Sequence, residues 1–385
     1  MGFLMIFRTF ALAVCVAGAG CSGLRIDRVL KSADHDWVMY GGGPERLNVA
    51  RGTVQPPLDE IWQYNAQGGL LGSPLVRDSV MILGTLHGEL QAVNLANGKR
   101  LGYKILESAI VGTPALNGNY VIVTMAGKLE TLISFDLKEG KRAWFFPAGP
   151  IESSPLIIGN NIFVTTLAGI LYCVDKRNGE EVWKFDSVEE EKRVPIRSSP
   201  ASDGRIVTFG SDDGVIFGID ASNGILRWAV QTGASIFGTP VVVSGVVIVG
   251  NIRGTIYAVD VSDGKILWKT DTGSRVFGSA SANRTTVFVG TADGVLRALD
   301  IRSGKELWNF TAKSIINSAP LVAGSLLYAG ALDRTLYCLD SETGKELWRY
   351  TAEGRIKVPP VLWGDVLLIT SEDKYVTALR PQKPL

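Results

Sequence analysis

The pattern Asp-x-x-x-Gly-x-x-x-Trp recurs at Asp136/Gly140/Trp144, Asp175/Gly179/Trp183, Asp220/Gly224/Trp228, Asp260/Gly264/Trp268, Asp300/Gly304/Trp308 and Asp340/Gly344/Trp348. A degenerate copy, Asn94/Gly98/Gly102, precedes them; Trp62 keeps only the end of the pattern and Ala378-Leu379-Arg380 only its beginning. The tryptophan slots 62, 102, 144, 183, 228, 268, 308 and 348 are spaced by 40, 42, 39, 45, 40, 40 and 40 residues, which makes eight units. A period of this size marks a supersecondary unit that buries its apolar face only against its neighbours. Between Gly238 and Trp268 one unit reads Thr-Pro-Val-Val-Val, a Ser-Gly turn, Val-Val-Ile-Val-Gly, a polar turn, Thr-Ile-Tyr-Ala-Val-Asp, a second turn and Ile-Leu-Trp. Short β-branched runs cut by Gly, Asp and Asn turns are hairpins, and no helical stripe interrupts them. The expected fold is all-β: an eight-bladed β-propeller of four-stranded blades. The last unit has three strands while Ile61-Trp62 supplies an orphan fourth, so the ring is predicted to close through a blade shared between the N- and C-terminal strands.

Composition narrows the classes of function. Hydrophobic residues make up 46% of 385, enough for a large core, and 39 Lys+Arg against 38 Asp+Glu leave no basic footprint for nucleic acid. Glycine, at 44 residues, exceeds average usage, as a turn-rich chain requires. The start of the chain reads as a signal peptide over residues 1–20, with a basic beginning at Arg8 and an apolar run ending in small residues. Gly18-Ala19-Gly20-Cys21 resembles the lipobox of bacterial lipoproteins, with Gly18 where that motif usually has an aliphatic residue. The resemblance implies diacylation of Cys21 and a lipidated linker over 21–36, after which the repeat puts the propeller over 37–385; Ser22 after the cysteine implies sorting to the outer membrane. Of the other cysteines, Cys15 leaves with the signal. Cys173 and Cys338 occupy one repeat slot, otherwise filled by Ala, Ser or Gly, and lie four units apart, too far for a disulfide.

Periodic residues have a structural role in such a ring. The Asp accepts turn hydrogen bonds, the Gly supplies the turn, and Trp144, Trp183, Trp228, Trp268, Trp308 and Trp348 dock neighbouring blades. The run Ala258-Val-Asp260-Val-Ser-Asp-Gly264-Lys265-Ile-Leu-Trp268 resembles the tryptophan-docking motif of quinoprotein dehydrogenases, whose eight-bladed propellers hold pyrroloquinoline quinone (PQQ). The same repeat in a lipoprotein of this length is similar to the BamB family, the propeller subunits of the machinery that assembles outer-membrane β-barrels. The quinoprotein resemblance implies a calcium site and often a vicinal disulfide. This sequence has no Cys-Cys pair, and His35 and His87 form no metal-ligand pattern. Walker A and Gly-x-Ser-x-Gly motifs are missing too, so no catalytic residue, metal or PQQ is expected.

Functional residues are then sought among positions that do not repeat. Each unit opens with a variant of x-[Gly/Ser]-[Ser/Thr]-Pro, and x is expected at the central funnel: Leu71, Val111, Glu152, Arg197, Phe237, Phe277, Asn317 and Lys357. Arg197 beside Phe237 and Phe277 suits a protein-binding anchor; the structural alternative pairs Arg197 with Glu152 and packs the rings between blades. The BamB resemblance implies that Ile196-Arg197 is the contact to the barrel-inserting subunit, although Ser235 and Phe237 stand where an acidic pair would be expected. Two classes of function follow. One is a non-catalytic, monomeric scaffold on the periplasmic face of the outer membrane, lipid-anchored and binding the insertase through Ile196, Arg197, Phe237 and Phe277. The other is a PQQ-dependent dehydrogenase-like enzyme or other small-molecule-binding propeller. The acidic run from Glu189 is read as a solvated loop.

Overall fold

A computed structural model describes residues 23–382 except 107, 128, 188–192 and 373. The signal segment, Cys21 and Ser22, and the Glu189-Glu190-Glu191-Lys192 run lie outside the described residues. The described chain forms thirty-two strands, β1 to β32, in eight antiparallel four-stranded sheets, and contains no helix. Blades 1 to 7 are consecutive, each a meander from inner to outer strand; blade 5, for example, runs Val241–Val243, Val246–Gly250, Thr255–Asp260 and Ile266–Asp271. The chain is an eight-bladed β-propeller. Blade 8 takes three strands from the C-terminal end and its outer strand from the N-terminal part: β1 (Leu58–Asn65) pairs antiparallel with β32 (Tyr375–Pro381), from Leu58↔Pro381 to Asn65↔Tyr375.

The repeat is the contact between blades. The Trp228 indole donates from Nε1 to Val261 O of the next blade at 2.8 Å. Trp62, Trp144, Trp268 and Trp308 make the same bond to Leu95, Lys176, Ile301 and Ser341. Each acceptor directly follows the motif Asp or Asn. The indole also lies flat on the motif glycine of that next blade: a Cβ on Gly264 would sit 2.7 Å from Trp228, and its φ of +77° disfavours any other residue. Trp183 covers Gly224 but leaves its buried Nε1 without a partner, while Trp348 packs on the core of the closing blade. Across the sheet each indole faces the small slot, with pairs Gly218↔Trp228, Cys173↔Trp183 and Cys338↔Trp348 at a recurring bulge. A larger residue there would collide with the ring, and this is why the slot holds Ala, Ser, Gly or Cys. Both thiols are free and buried, and burial raises them to about 12 (Cys173) and about 11 (Cys338).

The motif aspartates tie the turns beneath these indoles. Asp260 accepts from the Ser262 N–H and hydroxyl, Asp220 from Ser222 and Arg227, and Asp175 from Arg177. These bonds favour the carboxylate and hold Asp175 and Asp220 down at about 2, with Asp260, Asp300 and Asp340 also lowered. A depressed carboxyl contributes stability that is fully present above its unfolded value of 3.8 and is lost as pH falls toward 2. The melting temperature is therefore expected to hold between pH 6 and 5 and to drop between pH 4 and 2. Asp220→Asn should start lower and change less over that acid range, which thermal melts followed by circular dichroism would show.

Two stretches outside the repeat complete the disk. Blade 1 has Gly102 in the tryptophan slot, and the segment 24–30, which the sequence suggests is a linker, packs there instead. Leu24 is 1% exposed, Gly23 O lies 2.5 Å from where a Gly102 Cβ would stand, and the Ile26 N–H donates to Leu137 O at 2.7 Å. Leu137 follows Asp136, so this backbone N–H takes the acceptor that an indole uses elsewhere. The second stretch, residues 37–54, crosses one face of the ring and accepts from the inner strand of one blade after another. Val76, Leu116, Ser202, Val242, Ala282 and Val322 donate their N–H groups to Trp37, Val38, Pro44, Glu45, Leu47 and Asn48. At its centre Arg46 is wholly buried and donates to Tyr40 O, Pro200 O and Pro155 O at 2.8, 3.0 and 3.0 Å. Burial lowers its guanidinium to about 9, which leaves it charged at neutral pH. Gly41, at φ +70°, sits where a Cβ would be 2.7 Å from Arg46 Cα, so residues 37–54, a plug across this face of the ring, can be wound this tightly only with glycine.

Candidate functional site at the mouth of the ring

Opposite the plug the ring opens into a cavity of about 220 Å³. All eight non-repeating loop positions line it: Leu71, Val111, Glu152, Arg197, Phe237, Phe277, Asn317 and Lys357. They converge because each loop enters the innermost strand of its blade. Just below, a hydroxyl belt joins blade to blade: the N–H groups of Ser73, Thr113, Ser154 and Thr239 donate to the side-chain oxygens of Thr113, Ser154, Ser199 and Ser279 at 2.7, 2.9, 2.9 and 2.8 Å. Tyr40, rising from the plug, donates to Ser279 Oγ at 3.1 Å and closes the floor. The belt spends hydroxyls on neighbouring amides and fixes the rim while leaving the eight tips free to vary.

The tips divide by chemistry. Arg197, with its side chain 41% exposed, is ion-paired to Asp212 and lies 3.3 Å from Glu152 Oε2. Lys357 is 2.6 Å from Glu372. Phe237 is 36% exposed and Phe277 half-buried, so neither ring is absorbed into a blade interface. Ile196, grouped with Arg197 by its sequence neighbourhood, belongs elsewhere. It is 0% exposed, packs with Phe163 and Phe209, and its N–H donates to Thr166 O. Its side chain is core and is not offered to a partner, which corrects the sequence reading. The signal was present: the residue before each tip is Leu70, Ile110, Ile151, Ile196, Ile236, Val276, Ile316 or Ile356, all buried aliphatics, so Ile196 repeats and Arg197 does not.

Sequence reasoning missed a second concavity. A groove of about 970 Å³ runs outward over the loops of blades 4 to 6, lined by Ser235, Ile252, Arg253, Arg275, Phe277 and Ala292 among others. Phe277 is common to both hollows. Arg253 and Arg275 are exposed and have no carboxylate within salt-bridge distance among the described residues. Neither falls in the aligned column of tips: Arg253 has no counterpart in the repeat, while Arg275, two residues before its tip, recurs as Arg355. The groove is thus aromatic at its inner end and cationic along its length. No cluster of three or more His, Cys, Asp or Glu side chains that could hold a metal occurs among the described residues.

Comparison with known proteins agrees with this architecture. A family described as outer membrane protein assembly factor BamB matches residues 167–314 and 292–383. The BamB of Shewanella oneidensis is 26% identical over 203 residues, 48% of this chain and 47% of that protein, so the match spans about half of the relative's length. A lanthanide-dependent methanol dehydrogenase of Methylorubrum extorquens is 29% identical over 122 residues, 29% of this chain and 20% of that enzyme. Among solved structures, BamB from Moraxella catarrhalis superposes with a TM-score of 0.72 at 20% identity, covering 84% of this chain and 99% of that one, a likeness of fold. With more than half of its length matched by that family, this chain belongs to the BamB family of outer membrane protein assembly factors.

Proposed function

We propose that the chain is a non-catalytic assembly factor for outer membrane proteins, held on the periplasmic face of the outer membrane by an acyl anchor at Cys21. It captures the barrel-inserting subunit through the mouth of the ring, with Arg197, Phe237 and Phe277 as anchors. The observation that carries this reading is the shared position of Phe277. One aromatic ring joins a shallow central hollow to a long cationic groove, giving a continuous concave surface with aromatic and Arg anchors, the residue types that dominate protein interfaces. Family membership supplies the biological setting.

The alternative, a PQQ-dependent dehydrogenase-like enzyme, is less consistent with the mouth. Its central cavity of about 220 Å³ is smaller than the ~300–1,000 Å³ typical of cofactor and drug-sized sites. The cations that could meet the acid groups of a quinone are occupied: Arg197 by Asp212 and Glu152, Lys357 by Glu372, and Arg46 by three backbone carbonyls below the floor. The residues present do not fit PQQ.

The test is partner capture. A photoreactive residue at position 237 should crosslink in isolated envelopes to the insertase, identified by mass spectrometry. Phe237→Ala with Phe277→Ala should weaken capture at least tenfold, about 1.4 kcal/mol or more, while leaving the melting temperature unchanged. Arg197→Ala is preferable to a charge reversal, because a carboxylate there would face both Asp212 and Glu152. Undiminished capture by the double phenylalanine variant would reject the mouth as the binding site.

A further inference from the structure

The groove between blades 1 and 2 lacks an indole because blade 1 carries Gly102. Segment 24–30 fills its inner part, and beyond it a cavity of about 410 Å³ stays open at the rim, lined by Lys104, Ile105, Glu130, Phe135, Lys141 and Arg142 among others. Arg25 rests against Gly140, donates to Lys138 O at 3.1 Å and is ion-paired to Asp27 at 2.8 Å, so the fourth cation at the margin is already neutralised. Arg142 is paired to Glu130, whereas Lys104 and Lys141 have no carboxylate partner among the described residues. Two aliphatic side chains on this rim have little cover: Ile105, in the cavity lining, is 63% exposed, and Leu129, next in sequence to the Glu130 that pairs with Arg142, is 73% exposed.

Position gives this patch its partner. The backbone of Gly23 runs against Gly102, and two peptide units carry the chain no further than about 7 Å from Gly23 to Cys21. If Cys21 is acylated as proposed above, the bilayer surface lies next to this rim and not beside the opposite one. Unpaired ammonium groups over exposed aliphatics are what a leaflet of anionic phospholipid takes up. The phosphates pair with the cations, the aliphatics enter the interfacial layer, and the long Lys stems span both environments. We infer that the rim of blades 1 and 2 is a docking surface for anionic phospholipid, with Lys104 and Lys141 on headgroup phosphates and Ile105 and Leu129 in the interface. The disk is then held by its edge, and the mouth is kept facing along the membrane instead of swinging on a tether.

The nearness of the bilayer rests on the anchor reading, so the test removes the anchor. A chain of residues 21–385 carrying Cys21→Ser retains all thirty-two strands and cannot be acylated. It is floated with vesicles of phosphatidylcholine, with or without about one third phosphatidylglycerol, at low ionic strength. Flotation is expected with the anionic vesicles alone and should fade as salt is added. Lys104→Glu with Lys141→Glu should lower binding by at least about thirtyfold, the value expected for losing two basic contacts at a membrane surface, with the repulsion of the new carboxylates added to it. Both lysines lie at the open groove, and an unchanged melting temperature will show that the fold is kept. The matched control, Lys265→Glu with Lys305→Glu, alters exposed turns in blades 5 and 6 by the same charge and should bind as the parent does. Equal binding to neutral vesicles, full binding by the blade 1–2 variant, or an equal loss in the control would overturn the inference. Mass analysis of Cys21 in the full-length product tests the anchor separately, and an unmodified thiol would remove that reading while leaving the flotation result to stand.

Discussion

Arg46→Ala is expected to destabilise the ring by roughly 3–5 kcal/mol, the range for removing one member of a buried polar set. The guanidinium is fully buried and serves three carbonyls from two blades and the plug itself. Without it those oxygens lose their donors in a dry interior, and a cavity as large as the side chain opens at the centre of the disk. Lysine should not rescue the loss. A single ammonium cannot reach Pro200 O, Tyr40 O and Pro155 O, which the planar fork meets from separate nitrogens. Urea unfolding followed by tryptophan fluorescence would measure the effect. A loss below about 1 kcal/mol would mean that water replaces the guanidinium and that the plug does not hold the blades together.

Trp228→Ala should cost a similar amount, about 3–5 kcal/mol, as expected for truncating a buried aromatic. The ring is 6% exposed, covers Gly264 and donates to Val261 O. Trp183 provides the internal comparison: it covers Gly224 in the same way, but its Nε1 has no acceptor. Trp183→Ala should therefore be milder by about 1 kcal/mol, the usual net value of one hydrogen bond. Trp183→Phe should be nearly neutral while Trp228→Phe is not. If both positions respond alike, the recurring indole bond contributes nothing beyond packing.

These predictions separate what repetition reveals from what it hides. The blades, the closing blade and the small slot were legible because each is written several times, and Gly218 or Cys173 opposite a tryptophan follows from one geometry repeated. The eight tips at the mouth were legible for the same reason, since the motif beside them fixes their register. The plug was not. Arg46 occurs once, in Gly-Gly-Gly-Pro-Glu-Arg-Leu-Asn, and two of its acceptors are carbonyls 109 and 154 residues away that leave no mark in sequence. Segment 24–30 was also hidden, because the group replacing the missing indole is a backbone N–H, which every residue but proline carries. Ile196 shows the opposite failure. Proximity to Arg197 suggested a shared role, yet Ile196 is turned into the core while Arg197 lines the mouth, and only comparison down the column of repeats distinguishes them.

Closure through β1 and β32 also imposes an order of events on the making of the protein. Asn65 and Tyr375, paired in the closing blade, are 310 residues apart, and a chain made from its amino end presents β1 long before its mate exists. For all that time β1 is an unpaired edge, a template for unwanted association, and its Asp59 and Glu60 side chains are the kind of charge that keeps such an edge soluble. The cost of drawing the two strands together is met only once β32 exists, when seven blades are already available to align them. Until Tyr375 and its neighbours have been made the blades therefore remain an open arc with an exposed seam, and it is the pairing of β1 with β32 that conceals it.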